Sequence, residues 1–230
     1  MISGYSVDQI RAAEAPHRAA KEPLMQRAAA ALAHEIRAIL PPATDPHPAS
    51  VLILAGSGDN GGDALLAGAE LARDGIPIHV LATADRMHTE GRAAAEAAGV
   101  HFYAFHQGDV EGLVALARTT SVVVDGILGT GTSANPALRG TAREVVALLL
   151  PVVSVPDGPV VVAVDIPSGI GPDDGAVPDP TVLTADVTVT FGGCKAGLLR
   201  EPAASVAGRI VVVDIGTGAE LEAMIPVLSA

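Results

Sequence analysis

Three groups of polar residues follow apolar runs, each at a point where a buried strand would end. Gly58-Asp59-Asn60-Gly61-Gly62-Asp63 follows residues 51–55, Asp125 and Gly129-Thr130-Gly131-Thr132 follow 121–124, and Asp165-Ile166-Pro167-Ser168-Gly169 follows 160–164. In an open parallel sheet, ligands bind outside the carboxyl ends of the strands, where the strand order reverses. If the order is 3-2-1-4-5-6, these three ends are neighbours, and the sequence predicts one site that all three form.

Each group also has an ordinary structural explanation. Asn60-Gly61-Gly62 could be a plain turn in which Asp63 caps the helix that follows. Asp125 and Asp165 could be strand-end carboxylates without a function. The coincidence of three such groups at one predicted crevice favours a functional site.

The residue types in this crevice suit a weakly charged cation and phosphate groups. The first loop places Asp59 where a dinucleotide fingerprint brings backbone close to pyrophosphate, and it lacks the Gly-Lys-Ser/Thr of a P-loop. Several carboxylates in one crevice repel one another, and a bound cation would relieve this repulsion. Neutral oxygens with one or two carboxylates suit a hard ion better than a transition metal. The acid-free loop from Gly129 to Ala134 is the better candidate for binding phosphates through N–H groups.

The elements that would position these residues alternate along the chain. A capping-box pattern of Ser6 and Gln9 opens a helix to about Ala15, and a second helix is predicted over 23–40. Strands are then predicted at 51–55, 77–82, 101–105, 121–124, 160–164, 187–191 and 209–213, with helices at 64–73, 89–98, 111–118 and 141–150. Apolar strands separated by helices indicate a parallel sheet covered on both faces. We therefore predict an α/β fold in a single domain over 1–230: a three-layer αβα, Rossmann-like doubly wound sheet with two extra N-terminal helices.

The composition disfavours several classes of protein. A formal net charge of −12 and an aromatic content of 2% argue against nucleic-acid and anionic-membrane binding. The single Cys194 cannot form an internal disulfide, and no Cys/His pattern has zinc-ligand spacing. No signal-peptide pattern and no apolar run of transmembrane length are visible, which predicts a cytoplasmic protein.

Taken in order, these motifs resemble those of the YjeF N-terminal domain family, the NAD(P)H-hydrate epimerases. Residues 51–63 are similar to the family's Gly-Asn-Asn-Gly-Gly-Asp loop, 124–131 to its second motif, and 164–169 to its third. Residues 188–197 resemble its late Thr-Phe…Lys-x-Gly segment, and 213–216 its terminal strand. Because 5–14 and 24–29 also match the family's opening helices, the resemblance covers nearly the whole chain.

The resemblance implies an isomerase that interconverts the R and S forms of NADHX and NADPHX, nicotinamide cofactors hydrated at C6. It implies a potassium ion held by Asn60, Asp125 and Ser168. It also implies substrate contacts by Asp165 and by two loops, which comprise Asp59, Asn60, Gly61, Gly62 and Asp63, and Gly129, Thr130, Gly131, Thr132, Ser133, Ala134 and Asn135. The partners implied are a second copy of the chain in a homodimer and an NAD(P)H-hydrate dehydratase, which many bacterial members carry as a C-terminal domain.

Individual roles follow from the resemblance with some alternatives open. Asp165 is predicted to be the catalytic acid and base, because a carboxylate can both donate a proton to the C6 hydroxyl and accept one. Alternatively, Asp165 anchors a ribose or nicotinamide group and the rate comes from positioning. Asp59 stands where the family usually has asparagine, which replaces an amide donor by a carboxylate acceptor. Lys195 is predicted to contact a substrate phosphate, the alternative being a solvated loop lysine.

Two other functions compete with the epimerase. The first is a non-catalytic nucleotide-binding or scaffold domain of the same fold, in which the crevice motifs would have drifted. Asn60, Asp125, Asp165 and Ser168 are all present here, which favours an enzyme. The second is a kinase or transferase, which would need a Lys/Arg cluster that the motifs lack. No residue can be assigned to a 2′-phosphate, so the sequence does not separate NADHX from NADPHX.

Overall fold

The computed structural model describes residues 2–42, 49–105, 110–131 and 135–230. In these ranges the strands are Ser3–Tyr5 (β1), Val51–Ala55 (β2), Ile78–Ala82 (β3), His101–Tyr103 (β4), Val122–Gly126 (β5), Val160–Val164 (β6), Val187–Phe191 (β7), Cys194–Lys195 (β8), Arg209–Val213 (β9) and Leu228–Ser229 (β10). The α-helices are Val7–Ala19 (α1), Leu24–Ile39 (α2), Asp59–Arg73 (α3), Thr89–Ala97 (α4), Val110–Thr119 (α5), Gly140–Val153 (α6) and Gly218–Glu222 (α7).

The main sheet is parallel and has seven strands in the order β4-β3-β2-β5-β6-β7-β9. The first six of its strands along the chain follow the predicted order 3-2-1-4-5-6, and β9 adds a seventh at one edge. The order reverses between β2 and β5. Asp125 of β5 pairs in register with Leu54 of β2 and with Ala163 of β6. The carboxyl ends of these three strands therefore lie side by side.

Apolar side chains cover both faces of the sheet, because successive residues of a strand point to opposite faces. Ile53 of β2 belongs to the buried cluster that contains Leu32 of α2 and Leu65 of α3. Its neighbour Leu52 belongs to the cluster on the other face, with Leu149 of α6. Each fully buried Leu or Ile contributes roughly 1.5–3 kcal/mol through the hydrophobic effect. This layering confirms the predicted three-layer, doubly wound fold.

The N-terminal helices agree with the prediction, with one difference in length. The Ser6 hydroxyl accepts a hydrogen bond from Gln9 N at 3.2 Å, and Gln9 Oε1 accepts one from Ser6 N at 3.0 Å. The capping box is therefore confirmed. Helix α1 continues through Pro16 to Ala19, beyond the predicted end at about Ala15. Its last turn is stabilised by Arg18, whose Nε and Nη2 donate to the Glu14 carboxylate at 3.1 and 2.9 Å.

A second, smaller sheet was not predicted from the sequence. It has the order β10-β1-β8, and it pairs Gly4 with Cys194, Tyr5 with Lys195 and Ser3 with Ser229. Strands of two or three residues are too short to show an alternating pattern, which explains why they were missed. No helix in the described ranges is both long and apolar enough to span a membrane.

Candidate functional site

Asp125 and Ser168 form a buried, directly hydrogen-bonded pair where β5 and β6 end. The Asp125 carboxylate accepts from Ser168 N at 2.8 Å, from Ser168 Oγ at 2.6 Å and from Ile127 N at 3.3 Å. Each of the two side chains belongs to a residue that is only 1% exposed. The turn after β6 therefore reaches back to the end of β5, as the predicted strand order requires.

Asn60 joins this pair from the first turn of α3. Its Nδ2 atom donates to Leu128 O at 3.1 Å and to Val164 O at 2.5 Å. Leu128 also donates its N–H to Ser168 Oγ at 2.8 Å, so its backbone links Asn60 to Ser168. The three residues predicted to bind a cation thus converge on one spot.

The buried Asp125 carboxylate has no ion-pair partner among the described residues. Burial raises its pKa above the ordinary value, although the hydrogen bonds from Ser168 and Ile127 act in the opposite direction. A buried charge without a counter-charge is costly. Carboxylate, hydroxyl and backbone carbonyl oxygens surround the spot, and this donor set fits a hard ion of low charge. No group of three His, Cys, Asp or Glu residues suited to a metal occurs in the described part of the chain.

Asp165 and Lys195 form a second polar centre. Asp165 has a φ of 67°, a left-handed conformation uncommon for a residue other than glycine. Its Oδ1 atom accepts from Thr190 Oγ1 at 3.2 Å, from Phe191 N at 3.1 Å and from Lys195 Nζ. Lys195 Nζ also donates to Phe191 O at 2.7 Å. One carboxylate oxygen is therefore held by three donors, whereas Oδ2 forms no hydrogen bond within the described residues.

Lys195 is not the solvated loop lysine of the alternative interpretation. The residue is only 2% exposed, and its ammonium group is paired with Asp165. Its strand, β8, is held in place by β1. Lys195 does line the cavity described below, so its contact with a substrate phosphate stays a prediction.

The glycine-rich segment after β2 is the start of a helix rather than a turn. Helix α3 begins at Asp59 with Gly58 as its N-cap, so the interpretation of Asp63 as an N-cap is wrong. A Cβ atom on Gly61 would lie 2.2 Å from Gly56 O, and one on Gly62 would lie 2.8 Å from the His88 ring. The two glycines therefore allow α3 to pack tightly against its neighbours.

Asp59 and Asp63 have different surroundings in this helix. Asp59 is exposed at the helix N-terminus, where the helix dipole favours a negative charge. Asp63 is 7% exposed, and its Oδ1 atom is buried and has no hydrogen-bond partner in the described part of the chain. Burial, followed by the charges of Asp165 and Asp59, raises the pKa of Asp63 well above its usual value. A carboxyl group in this state suits a hydrogen bond with a ligand.

The Asp165–Lys195 pair borders a cavity of about 520 Å³, and Asn60 is the residue of the first polar centre that also lines it, whereas Asp125 and Ser168 are not in its lining. Its lining includes a set of the predicted site residues, namely Asp59, Asn60, Asp63, Thr130, Gly131, Asp165 and Lys195. Gly129 packs against the side chain of Asn60, where a Cβ would lie 2.3 Å from Asn60 Oδ1. Asn135 lines an adjoining cavity of about 550 Å³ instead. The predicted contacts Thr132, Ser133 and Ala134 lie outside the described residues.

Helix α1 supplies cavity residues that were not predicted. Arg11, Glu14 and Arg18 all line the cavity. Their spacing of three and four residues places them on one face of the helix. The spacing of these charged residues was the only sign in the sequence that this face of α1 could belong to a site. The sequence did not show which strands the helix would face.

The fold and the cavity define a Rossmann-like α/β protein with a polar site at the sheet's topological switch point. Comparisons with known proteins agree. Residues 21–197 match the family described as YjeF-related protein N-terminus, and the chain belongs to this family.

Several curated relatives are similar over most of the chain. A Clavibacter michiganensis subsp. michiganensis protein named NAD(P)H-hydrate epimerase is 55% identical over 94% of this chain and 91% of its own length. A Microbacterium testaceum protein of the same name is 44% identical over 100% of this chain and 84% of its own length. The bifunctional NAD(P)H-hydrate repair enzyme Nnr of Mycobacterium tuberculosis is 42% identical, and the match covers 92% of this chain and 41% of that protein.

A solved structure shows the same fold. The crystal structure of yeast ynu0 superposes with a TM-score of 0.71 at 20% sequence identity. The match covers 93% of this chain and 88% of the yeast chain.

Proposed function

We propose that this chain is an NAD(P)H-hydrate epimerase, an isomerase that interconverts the R and S forms of NADHX and NADPHX. The names of relatives that match it over most of their own length support this proposal. The structural observation that carries it is Asp165, whose Oδ1 atom is fixed by three donors while the residue lines the cavity. Such a carboxylate is positioned to exchange a proton with a ligand through its other oxygen.

The substrate carries a hydroxyl group at C6, next to the ring nitrogen. Epimerisation requires that the C6–O bond breaks and re-forms on the opposite face, or that the ring opens and closes. In the first route the hydroxyl accepts a proton and leaves as water, and the ring nitrogen lone pair forms an iminium. Water then adds to the other face of C6 and gives up a proton. The same group can donate the first proton and accept the last.

Asp165 is the residue proposed for this proton exchange. A positioned acid and base of this kind contributes typically about 10²–10⁴-fold to a rate. Lys195 holds the Asp165 carboxylate through its ammonium group and so fixes which oxygen faces the ligand. Asp63, with one unpartnered buried oxygen, is proposed to bind a polar group of the substrate. Backbone amides at Thr130 and Gly131 are proposed to bind its phosphates.

We also propose a potassium ion at the spot shared by Asn60, Asp125 and Ser168. These residues would hold it together with backbone carbonyl oxygens such as those of Leu128 and Val164. The ion would supply a positive charge beside the buried Asp125 carboxylate, and so favour the packed arrangement of the three strand ends. The donor set described above supports the proposal.

The partners and the location are proposed from the family resemblance. Relatives named as bifunctional repair enzymes match this chain over 41% of their length, which supports a functional link to a dehydratase. We propose a homodimer and a cytoplasmic location. Light scattering coupled to size-exclusion chromatography tests the first, because a dimer would have twice the 23.0 kDa mass of the chain.

A coupled assay tests the proposed function. Mixed R and S hydrates of NADH are incubated with a dehydratase that accepts one form only, in a potassium buffer. Without an epimerase the rapid phase stops when half of the hydrate is consumed. With this protein we expect the rapid reaction to continue to completion. A plateau at half consumption would contradict the proposal and favour the scaffold alternative.

A further inference from the structure

Arg11 lies on α1 at the junction of two adjoining cavities. It lines both the cavity of about 520 Å³ that contains Asp165 and the neighbouring one of about 550 Å³. Its Nη2 atom donates to Thr130 O at 3.2 Å. Arg11 therefore contacts the loop whose backbone amides are proposed to bind phosphates.

The charge of Arg11 is not neutralised by a close carboxylate. Within the described residues, its one ion-pair contact is with Asp8, at 3.9 Å, and the Asp8 side chain is 95% exposed. An ion pair of this kind contributes little. By contrast, Lys195 donates a hydrogen bond to Asp165, and Arg18 donates two hydrogen bonds to Glu14. Among the described residues that line the 520 Å³ cavity, Arg11 is the Lys or Arg side chain without a short carboxylate contact.

A dinucleotide would bring two further negative charges to an already acidic site. The chain has a formal net charge of −12, and Asp59, Glu22 and Glu90 line the same cavity. The repulsion must be offset by a cation that can reach the phosphates. A guanidinium group presents five donors in a planar fork that matches phosphate oxygens.

The position of Arg11 also matches the shape of the ligand. A dinucleotide has one nucleoside on each side of its diphosphate, so a group between two cavities is placed at the diphosphate. Resting on the proposed function, we propose that Arg11 binds the substrate's diphosphate, with the nicotinamide nucleoside in the cavity of Asp165 and the other nucleoside in the adjoining one.

The test compares NADH with reduced nicotinamide riboside, which has the same ring and ribose but no phosphate. Binding is measured by calorimetry for NADH and by ligand-observed NMR titration into the millimolar range for the riboside. The variants are Arg11→Gln and Arg11→Lys, with Arg143→Gln as the control. Arg143 pairs with Asp179 outside both cavities. Its replacement by Gln changes the net charge by the same amount as Arg11→Gln, but away from the proposed binding site. The Arg11 side chain is 57% exposed, so its variants are expected to fold.

We expect Arg11→Gln to weaken NADH binding by about tenfold or more, the effect of losing a charge-assisted hydrogen bond. Its affinity for the riboside should be unchanged, Arg11→Lys should lie between, and Arg143→Gln should bind both ligands like the wild type. Unchanged NADH affinity in Arg11→Gln would overturn the proposal, as would an equal loss for the riboside.

This outcome is separable from that of the proposed function. The coupled assay on the wild-type protein tests epimerisation and does not depend on Arg11. If that assay failed but Arg11→Gln still lost NADH affinity selectively, the diphosphate contact would stand without the catalytic role. A wild-type protein with no measurable affinity for NADH would overturn the Arg11 proposal alone.

Discussion

Lys195 Nζ and Asp165 Oδ1 form an ion pair in which both residues are almost fully buried, at 2% and 7% exposure. The pair joins the end of β6 to β8, and both residues line the cavity. Removing either residue would leave the other charge buried without a counter-charge, which lowers the free energy of unfolding.

We therefore expect Lys195→Met to lower the free energy of unfolding by about 3–5 kcal/mol, because it leaves the Asp165 charge buried and unpaired. Urea denaturation followed by circular dichroism measures this. The double variant Asp165→Asn/Lys195→Met should regain part of the loss, since no buried charge is left uncompensated. A single variant as stable as the wild type would show that Lys195 is not needed to compensate Asp165.

Asp165→Asn should retain the backbone conformation, because asparagine tolerates the left-handed region, but it leaves the Lys195 charge buried and unpaired and should lower the stability. The variant is therefore assayed at a temperature at which circular dichroism shows that it is folded. It removes the proton exchange, so kcat in the coupled assay should fall by about 10²–10⁴-fold. Asp157→Asn, the same change at an exposed position away from the cavity, serves as the control. A kcat near that of the wild type would instead support a role for Asp165 in anchoring the substrate.

Gly61→Ala should destabilise the protein by about 1–3 kcal/mol or more, since its methyl group would lie 2.2 Å from Gly56 O. Gly58→Ala is the matched control, because no atom of the described residues lies within 4 Å of a Cβ there. Thermal unfolding measures both variants. If Gly61→Ala melted at the same temperature as Gly58→Ala, α3 would be able to move away from the end of β2 without a loss of stability.

Asp63→Asn should change how stability depends on pH. The pKa of Asp63 is raised in the folded protein by burial and by the charges of Asp165 and Asp59, so the folded state binds this proton more tightly than the unfolded state. The contribution of Asp63 to the stability of the wild type is therefore lost as the pH rises from about 4, the pKa of an unfolded Asp, through the folded pKa. The variant has no such group. We expect the melting temperature of Asp63→Asn minus that of the wild type to increase between pH 4 and pH 8. If this difference stayed constant, the pKa of Asp63 would not be raised in the folded protein.

Potassium should raise the melting temperature relative to choline chloride at equal ionic strength. A ligand that binds only the folded state stabilises by about 2.7 kcal/mol at a concentration roughly 100 times its Kd. Ser168→Ala removes one oxygen donor and should reduce the difference between the two salts, whereas Ser205→Ala, which alters an exposed hydroxyl bonded to Glu201, should not. Identical melting temperatures of the wild type in both salts would contradict the potassium proposal.

The convergence of Asn60, Asp125 and Ser168 could be predicted because the strands are visible as local apolar patterns and 3-2-1-4-5-6 is the common strand order of a doubly wound sheet. Apolar strands of five residues fix the sheet, and a parallel sheet brings the residues after its strands to one edge. The partner of Lys195 could not be predicted, since it depends on β8 and β1, which are too short to leave a pattern. The helical start at Asp59 was also missed, because Gly61 and Gly62 are usual in turns and their packing against Gly56 and His88 is a tertiary property.

The small sheet joins the strands near the two ends of the chain, β1 and β10, to β8, which carries Lys195. Ser3 pairs with Ser229, and the next residues of the same strand pair with Cys194 and Lys195. An affinity tag or fusion partner at the N-terminus therefore lies within a few residues of β1, which pairs with the strand that carries Lys195, and one at the C-terminus directly follows β10, the other neighbour of β1. Kinetic constants should be compared between tagged and tag-free protein before any difference is attributed to the cavity itself.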